Sequence, residues 1–260
     1  MAIATYSKFT SFKESIHSLT DPVDREELMN ETFLLERDEK KNLEMYYAPF
    51  EHVNEHAKIV IVGITHGLHQ MKKSFETVWN NGGEEIEDEE VLQKVKNHSS
   101  FEGPMRKNLI AMLDELELHT YLNLASTSEL FGPASHLVQT TSVLPYPVFY
   151  KGKNFSGSTP NILKTEVLHR YALNHLPIEL EKLNDPLIVP LGVNVTKVLM
   201  HLTENNLISA NSIVNGFPHP SGGNGHRHRQ FSENKEGMKE TIRRYLANNC
   251  PFFKKEMSIK

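Results

Sequence analysis

Apolar residues occur along this chain in two kinds of run. The first kind is short, continuous and rich in β-branched side chains. Lys58-Ile59-Val60-Ile61-Val62 is the clearest, and an unbroken run of this type reads as a strand buried on both faces. Val138 to Leu144, continuing into Pro145-Tyr146-Pro147-Val148-Phe149-Tyr150, and Pro186 to Gly192 are two more. Leu118 to Leu124 and Ser212 to Phe217 predict two further short strands. The second kind repeats with helical spacing. It covers Leu68 to Trp79, the stretch opened by Pro104 with Leu109, Met112, Leu113 and Leu116, Leu163 to Leu183, and Val193 to Thr203. A last helix is predicted from Ser232, placed as an N-cap, through Met238, Ile242 and Leu246. Strands alternating with helices imply an α/β domain with a largely parallel sheet.

Two stretches stand outside this alternation. Residues 1–50 are polar, with helical spacing at Phe12, Ile16 and Leu19, a break at Pro22, and a second apolar set at Leu28, Phe33, Leu34, Leu43 and Met45. They predict an N-terminal helical arm packed on a core formed by residues 51–260. Residues 80–97 are acidic and glycine-punctuated, and predict a turn followed by a solvated helix.

Composition narrows the class. A chain of 260 residues is long enough for a substantial core. No apolar run approaches the roughly 20 residues that a membrane-spanning helix needs, and Met1 to Ser18 lacks the apolar centre of a secretory signal. The single cysteine, Cys250, excludes an internal disulfide, a four-cysteine cluster and a cysteine-built zinc site. A cytoplasmic monomer without cofactor is the simplest expectation. The net charge of −5 does not advertise nucleic-acid binding, although only the local field at a site decides that.

Three loops that follow predicted strands carry the candidate chemistry: residues 63–67, 145–160 and 216–229. In a parallel sheet they share one edge and can converge, where α/β proteins bind ligands. The last loop reads Asn215-Gly216-Phe217-Pro218-His219-Pro220-Ser221-Gly222-Gly223-Asn224-Gly225-His226-Arg227-His228-Arg229. It has almost nothing that could fill a core; its histidines and arginines can hold an anion, or it is a basic surface loop. The first loop, Gly63-Ile64-Thr65-His66-Gly67, lacks a nucleotide fingerprint.

These loops, with Phe101-x-Gly103, Pro147-x-Phe149 before Gly152-Lys153-Asn154, Pro190-Leu191-Gly192 and His219-Pro220-Ser221, resemble the uracil-DNA glycosylase superfamily, most closely its single-strand-selective monofunctional branch and uncharacterised bacterial relatives. The resemblance covers roughly residues 55–245. It implies a three-layer α/β/α sandwich and an enzyme that flips a base out of DNA and hydrolyses its N-glycosidic bond. His219 would donate to the base oxygen as it becomes anionic, Phe101 would stack on the base, and Ser221 would contact a phosphate. Gly222, Gly223 and Asn224 would form the wedge that enters DNA, and His226, Arg227 and Arg229 would supply positive charge. Gly63, Ile64, Gly67, Asn154 and Pro220 would complete the substrate site.

The sequence departs from the family pattern at two points. Thr65 and His66 stand where the family has a water-positioning Asn or Asp followed by Pro, so these two would share that task. Val143, near Thr141 and Ser142, stands where a uracil-reading asparagine belongs. Loss of that hydrogen bond argues against strict uracil specificity. The favoured expectation is a DNA glycosylase for another damaged or modified base, including a modified viral cytosine excised in defence. The alternatives are an ordinary uracil glycosylase in base-excision repair and a non-catalytic nucleic-acid-binding relative. DNA is the expected partner, with no membrane and no obligate protein partner. A three-histidine metal site at His219, His226 and His228 is a weaker alternative; no metal is expected.

Overall fold

The computed structural model describes residues 2–82, 85–209 and 212–249. The first third contains β1 (Ala2–Ile3), α1 (Phe9–His17), α2 (Arg25–Leu28), β2 (Leu34–Asp38), β3 (Leu43–Tyr46), β4 (His52–Val53), β5 (Ile59–Gly63) and α3 (Leu68–Asn80). The middle contains α4 (Asp88–Ser99), α5 (Pro104–Glu115), α6 (Leu118–Tyr121), β6 (Val138–Ser142), β7 (Val148–Tyr150) and β8 (Lys153–Asn154). The last part contains α7 (Glu166–Glu181), β9 (Leu187–Pro190), α8 (Val193–Glu204) and α9 (Arg227–Asn249).

The central sheet is parallel, in the order β6-β5-β9. Its middle strand is the β-branched run, and every residue of β5 is buried. Side chains alternate across a strand, so the run is divided between two cores. Val60 and Val62 pack with Phe75 of α3, Leu92 of α4, Leu176 of α7 and Leu199 of α8 in one hydrophobic cluster. Ile59 and Ile61 pack with Leu109 and Leu113 of α5, Leu118 of α6, and Met238 and Ile242 of α9 in the other. Helices therefore cover both faces, which is the expected mixed α/β fold with a three-layer arrangement. Among the described residues, no helix is long and apolar enough to cross a membrane.

Five predicted elements differ from those observed. The second half of the N-terminal arm is an antiparallel hairpin rather than helix. β2 pairs with β3, and β3 pairs with β7. The partner that makes β3 a strand lies about a hundred residues away, as Met45↔Val148, so local spacing could not reveal it. The arm is also continuous with the core, since Phe9, Ile16, Leu28, Phe33 and Met45 belong to the first cluster.

The helix expected to be solvated, α4, buries Val91, Leu92, Val95 and Lys96. Residues 118–124 form no strand. Glu117 turns left-handed at φ +64° and the chain restarts as the short helix α6. The fifth strand is reduced to one parallel bridge, Ile213 to Ile188, because Gly216 turns the chain away at φ +91°. Finally, α9 begins at Arg227, five residues before the expected cap, so Arg227 and Arg229 lie in its first turn. Gly83 and Glu84 of the predicted turn, and Cys250, lie outside the described residues.

Candidate active site

Loops 63–67, 145–160 and 216–229 do converge. A cleft of about 560 Å³ opens at the carboxyl end of the parallel strands, lined by residues from all three loops and from the 100–105 and 140–142 segments. Gly63, Ile64, Thr65, His66, Gly67, Phe101, Asn154, His219, Ser221, Gly223 and Asn224 all line it. Gln70, Ser100, Met105, Thr140, Thr141, Ser142, Phe155 and Ser156 complete the wall. None of these lining residues is acidic or basic by formal charge.

His219 is set by its own loop. The Ser221 amide N–H donates to His219 Nδ1 over 3.3 Å, and the Ser221 hydroxyl lies 2.9 Å from the same nitrogen. An amide can only donate, so Nδ1 is the acceptor and the proton of the neutral ring sits on Nε2. Burial lowers the ring's pKa below the usual imidazole value, which keeps it neutral at physiological pH. The loop is pinned by Asn224, whose side-chain amide donates to the His219 carbonyl at 3.1 Å and to Gln230 at 2.9 Å. Asn108 of α5 donates to the Pro220 carbonyl at 2.8 Å. Beneath the loop, Gly192 has φ +94°, and a Cβ there would stand 3.0 Å from His219 Cβ. Only glycine lets His219 sit this close to the end of β9.

The first loop is equally constrained. The Thr65 hydroxyl donates to the Tyr146 carbonyl at 2.7 Å and accepts from the Val148 amide at 3.2 Å. Its proton is committed, and one lone pair is left for a water. His66 stacks on Phe50 with ring centroids 3.6 Å apart and planes within 8°. Its Nδ1 is buried without a partner in the structure. Burial, and secondly the Lys96 ammonium, hold the His66 pKa down at about 3, against a smaller opposing effect from the Pro145 backbone. A general base works best with a pKa near the operating pH. His66 is therefore too weak a base to take a proton at neutral pH, although it can orient a water.

Side-chain amides guard the mouth. Gln70 accepts from the Gly67 amide at 3.2 Å, and Asn154 accepts from the Leu68 amide at 3.0 Å. Both oxygens are thus taken by the start of α3, and both NH2 groups are left as donors. Phe101 holds φ +54°, a left-handed conformation that is uncommon without glycine and concentrates at functional sites. Its ring approaches Gly63 so closely that a Cβ there would lie 3.1 Å from Phe101 Cε1. His69 and Glu102 pair beside it on the rim.

Several predicted site residues fall elsewhere. Val143 is fully buried in the first core and donates its amide to Gly63 O. Its neighbours Thr141 and Ser142, the last two residues of β6, line the cleft instead. Pro220, Gly222 and Arg227 do not line the cleft. Gly222 is exposed with open space where a Cβ would project. Arg227 donates to the Asn224 carbonyl at 3.3 Å. His226 and His228 are exposed while His219 faces the cleft. Among the described residues no three His, Cys, Asp or Glu side chains are grouped to hold a metal ion, so the three-histidine alternative is not assembled.

The charges missing from the wall lie behind it. Lys96 is buried and donates to the Thr140 carbonyl over 2.5 Å; burial lowers its pKa. Glu179 accepts from Thr141 at 3.0 Å, from Tyr6 at 2.9 Å and from Gln139 at 2.5 Å. Glu51 accepts from Tyr146, Ser7, Tyr47 and the Lys8 amide. Nothing in the local sequence around these residues marks them as interior. Gln70 was legible in principle as the third residue of a helix after a glycine turn, where a glutamine side chain reaches back to the cap.

Fold and cleft together define a mixed α/β protein with a ligand-sized cleft at the carboxyl edge of its sheet. No protein-family model matches the chain, and no solved structure matches it. The chain is 38% identical over 247 residues to the uncharacterized protein YoxB of Bacillus subtilis (strain 168), covering 94% of this chain and 96% of that protein. It belongs to the same family as YoxB.

Proposed function

We propose that this chain is a monofunctional DNA glycosylase that accepts a flipped base in the cleft and hydrolyses its N-glycosidic bond, leaving an abasic site. The observation that carries the reading is His219, a neutral imidazole with its Nε2–H free to donate inside a cleft that also holds an aromatic ring. When the bond breaks, its electron pair leaves with the base and the sugar becomes cationic. A fixed donor to the forming base anion is worth about 2.7–4 kcal/mol. Stacking of the base on Phe101 contributes roughly 1–3 kcal/mol.

A sugar cation is electrophilic enough to be captured by water without prior deprotonation. This suits a site in which Thr65 offers a lone pair and His66 orients rather than abstracts. The first turn of α9 is basic and has no acidic residue. Positive charge at a helix N-terminus is unfavourable on its own and becomes favourable beside a phosphate. Val143 is buried in the core, and Thr141 and Ser142 rather than a carboxamide line the cleft beside it, which supports a base other than plain uracil, including a modified cytosine. The chain would then serve in repair or in defence against modified DNA.

A second reading, a non-catalytic binder of flipped bases or abasic sites, is favoured by two observations. The Thr65 proton is already committed, and no carboxylate lines the cleft. The test is a panel of oligonucleotides carrying uracil, hypoxanthine, xanthine, and hydroxymethylated or glucosylated cytosine, in single and double strands. Alkali reveals abasic sites, and native protein is compared with His219→Ala. Breaks at one modified base that disappear in His219→Ala support the proposal. Breaks chiefly at uracil point to an ordinary uracil glycosylase, and tight binding without breaks supports the second reading.

A further inference from the structure

We propose that Glu179 fixes the floor of the cleft as a hydrogen-bond acceptor, so that the site selects a base presenting an amino group there, as cytosine and its 5-substituted derivatives do, over one presenting a carbonyl. The inference rests on the base-binding reading of the cleft. It starts from Gln139, whose amide orientation is settled by its neighbours. Its oxygen accepts from the Asn54 backbone amide at 3.0 Å, so its nitrogen is the group that donates to the His52 carbonyl at 3.1 Å and to Glu179 Oε1. On the other carboxylate oxygen, the Tyr6 phenol is held protonated by burial and by Glu179 itself, so it donates as well. Both oxygens of Glu179 are acceptors. The Thr141 hydroxyl, 3.0 Å from Oε2, must therefore spend its single proton on Glu179.

Thr141 lines the cleft. Since a hydroxyl carries one proton, lone pairs are all that Thr141 can offer to a ligand. Ser100 and Thr140 are 2.7 Å apart, so one hydroxyl donates to the other and the accepting one keeps its own proton. Donors line the same cleft: His219 Nε2 and the NH2 groups of Gln70 and Asn154. A base with a carbonyl toward His219 and an amino group toward Thr141 satisfies both groups. A base with two carbonyls sets lone pairs against lone pairs at Thr141 and leaves the interaction unmade. A buried polar group left unsatisfied costs about 1–3 kcal/mol, and about 1.4 kcal/mol is a tenfold change in affinity.

The test uses matched single-stranded thymidine oligonucleotides with one central deoxycytidine or deoxyuridine, and a second pair with 5-hydroxymethyl-deoxycytidine or 5-hydroxymethyl-deoxyuridine. The members of each pair differ at the 4-position, amino against carbonyl, and in the N3 hydrogen that accompanies the carbonyl. Dissociation constants are measured by fluorescence anisotropy, with cleavage followed in parallel. Native protein is expected to prefer the amino member of both pairs by about tenfold. Thr141→Val, which keeps the shape and leaves Glu179 its other two donors, is expected to bring the two members within about twofold. Thr141→Ser is expected to keep the preference. In Glu179→Gln the introduced amide must still accept from Gln139, so its nitrogen faces Thr141 and turns the hydroxyl proton into the cleft; the preference should reverse.

If that variant does not fold, the Thr141→Val and Thr141→Ser comparison carries the test. Equal affinity for both members in native protein, or an unchanged preference in Thr141→Val, overturns the inference. Preference without cleavage of any probe, extended to the panel of damaged and glucosylated bases above, overturns the glycosylase reading and leaves the inference standing. Cleavage of both members with equal affinity does the reverse, and failure to bind any probe overturns both.

Discussion

Replacing His66 by phenylalanine tests the electrostatics of the cleft quantitatively. The ring stacks on Phe50, and its pKa is held at about 3 instead of the usual 6.5. Between these two values the unfolded chain binds a proton that the native protein does not, so stability rises with pH and is lost as pH falls from about 6.5 toward 3. From pH 7 to about pH 4.5, a shift of this size removes about 2.5 kcal/mol of stability through His66 alone. That is a large share of a typical folding free energy of about 5–15 kcal/mol.

Phenylalanine keeps the stacking and cannot titrate. It also removes the buried, unpartnered Nδ1. His66→Phe is therefore expected to match the native protein within about 1 kcal/mol at pH 7 and to lose about 2.5 kcal/mol less on acidification. His52, whose pKa is lowered to about 4 by burial and then by Lys96, contributes a comparable acid sensitivity that the variant retains. The assay is urea unfolding of both proteins at the two pH values. Identical losses in the two proteins would refute the argument and would place the His66 pKa near its ordinary value, restoring it as a base for catalysis.

Three further outcomes are expected. Gly192→Ala puts a side chain at φ +94° and 3.0 Å from His219 Cβ; it should lower stability by about 1–3 kcal/mol in urea titrations and displace His219, so that whatever binding or cleavage depends on His219 falls with it. Phe101→Ala should weaken binding of an oligonucleotide with a flipped base by roughly 1–3 kcal/mol in fluorescence anisotropy, while fold stability changes less than affinity. Thr65→Val breaks the hydroxyl link between loop 63–67 and the Tyr146–Val148 segment and should cost about 1–3 kcal/mol of stability by thermal unfolding; full stability would show that the link does not hold the loop.

The sequence by itself determined the scaffold of the cleft. The β-branched run at Ile59 to Val62, the glycine turn after it, and the proline and glycine loops after the other strands were legible because strand burial and turn chemistry are local properties of the chain. Their shared edge follows from parallel topology, so the meeting of Thr65, Asn154 and His219 could be expected without coordinates. Tertiary structure alone decided the rest. Whether residues 43–46 are strand or helix depended on Val148, far along the chain. Whether Val143 or its neighbours line the cleft depended on how the chain leaves β6 after Ser142, where Val143 enters the core. The polarity of the floor depended on Glu179 meeting Thr141, Tyr6 and Gln139 from three separate parts of the fold. A charged or hydroxyl side chain looks solvated in sequence; only partners brought together by folding can keep it buried and fix which way its proton points.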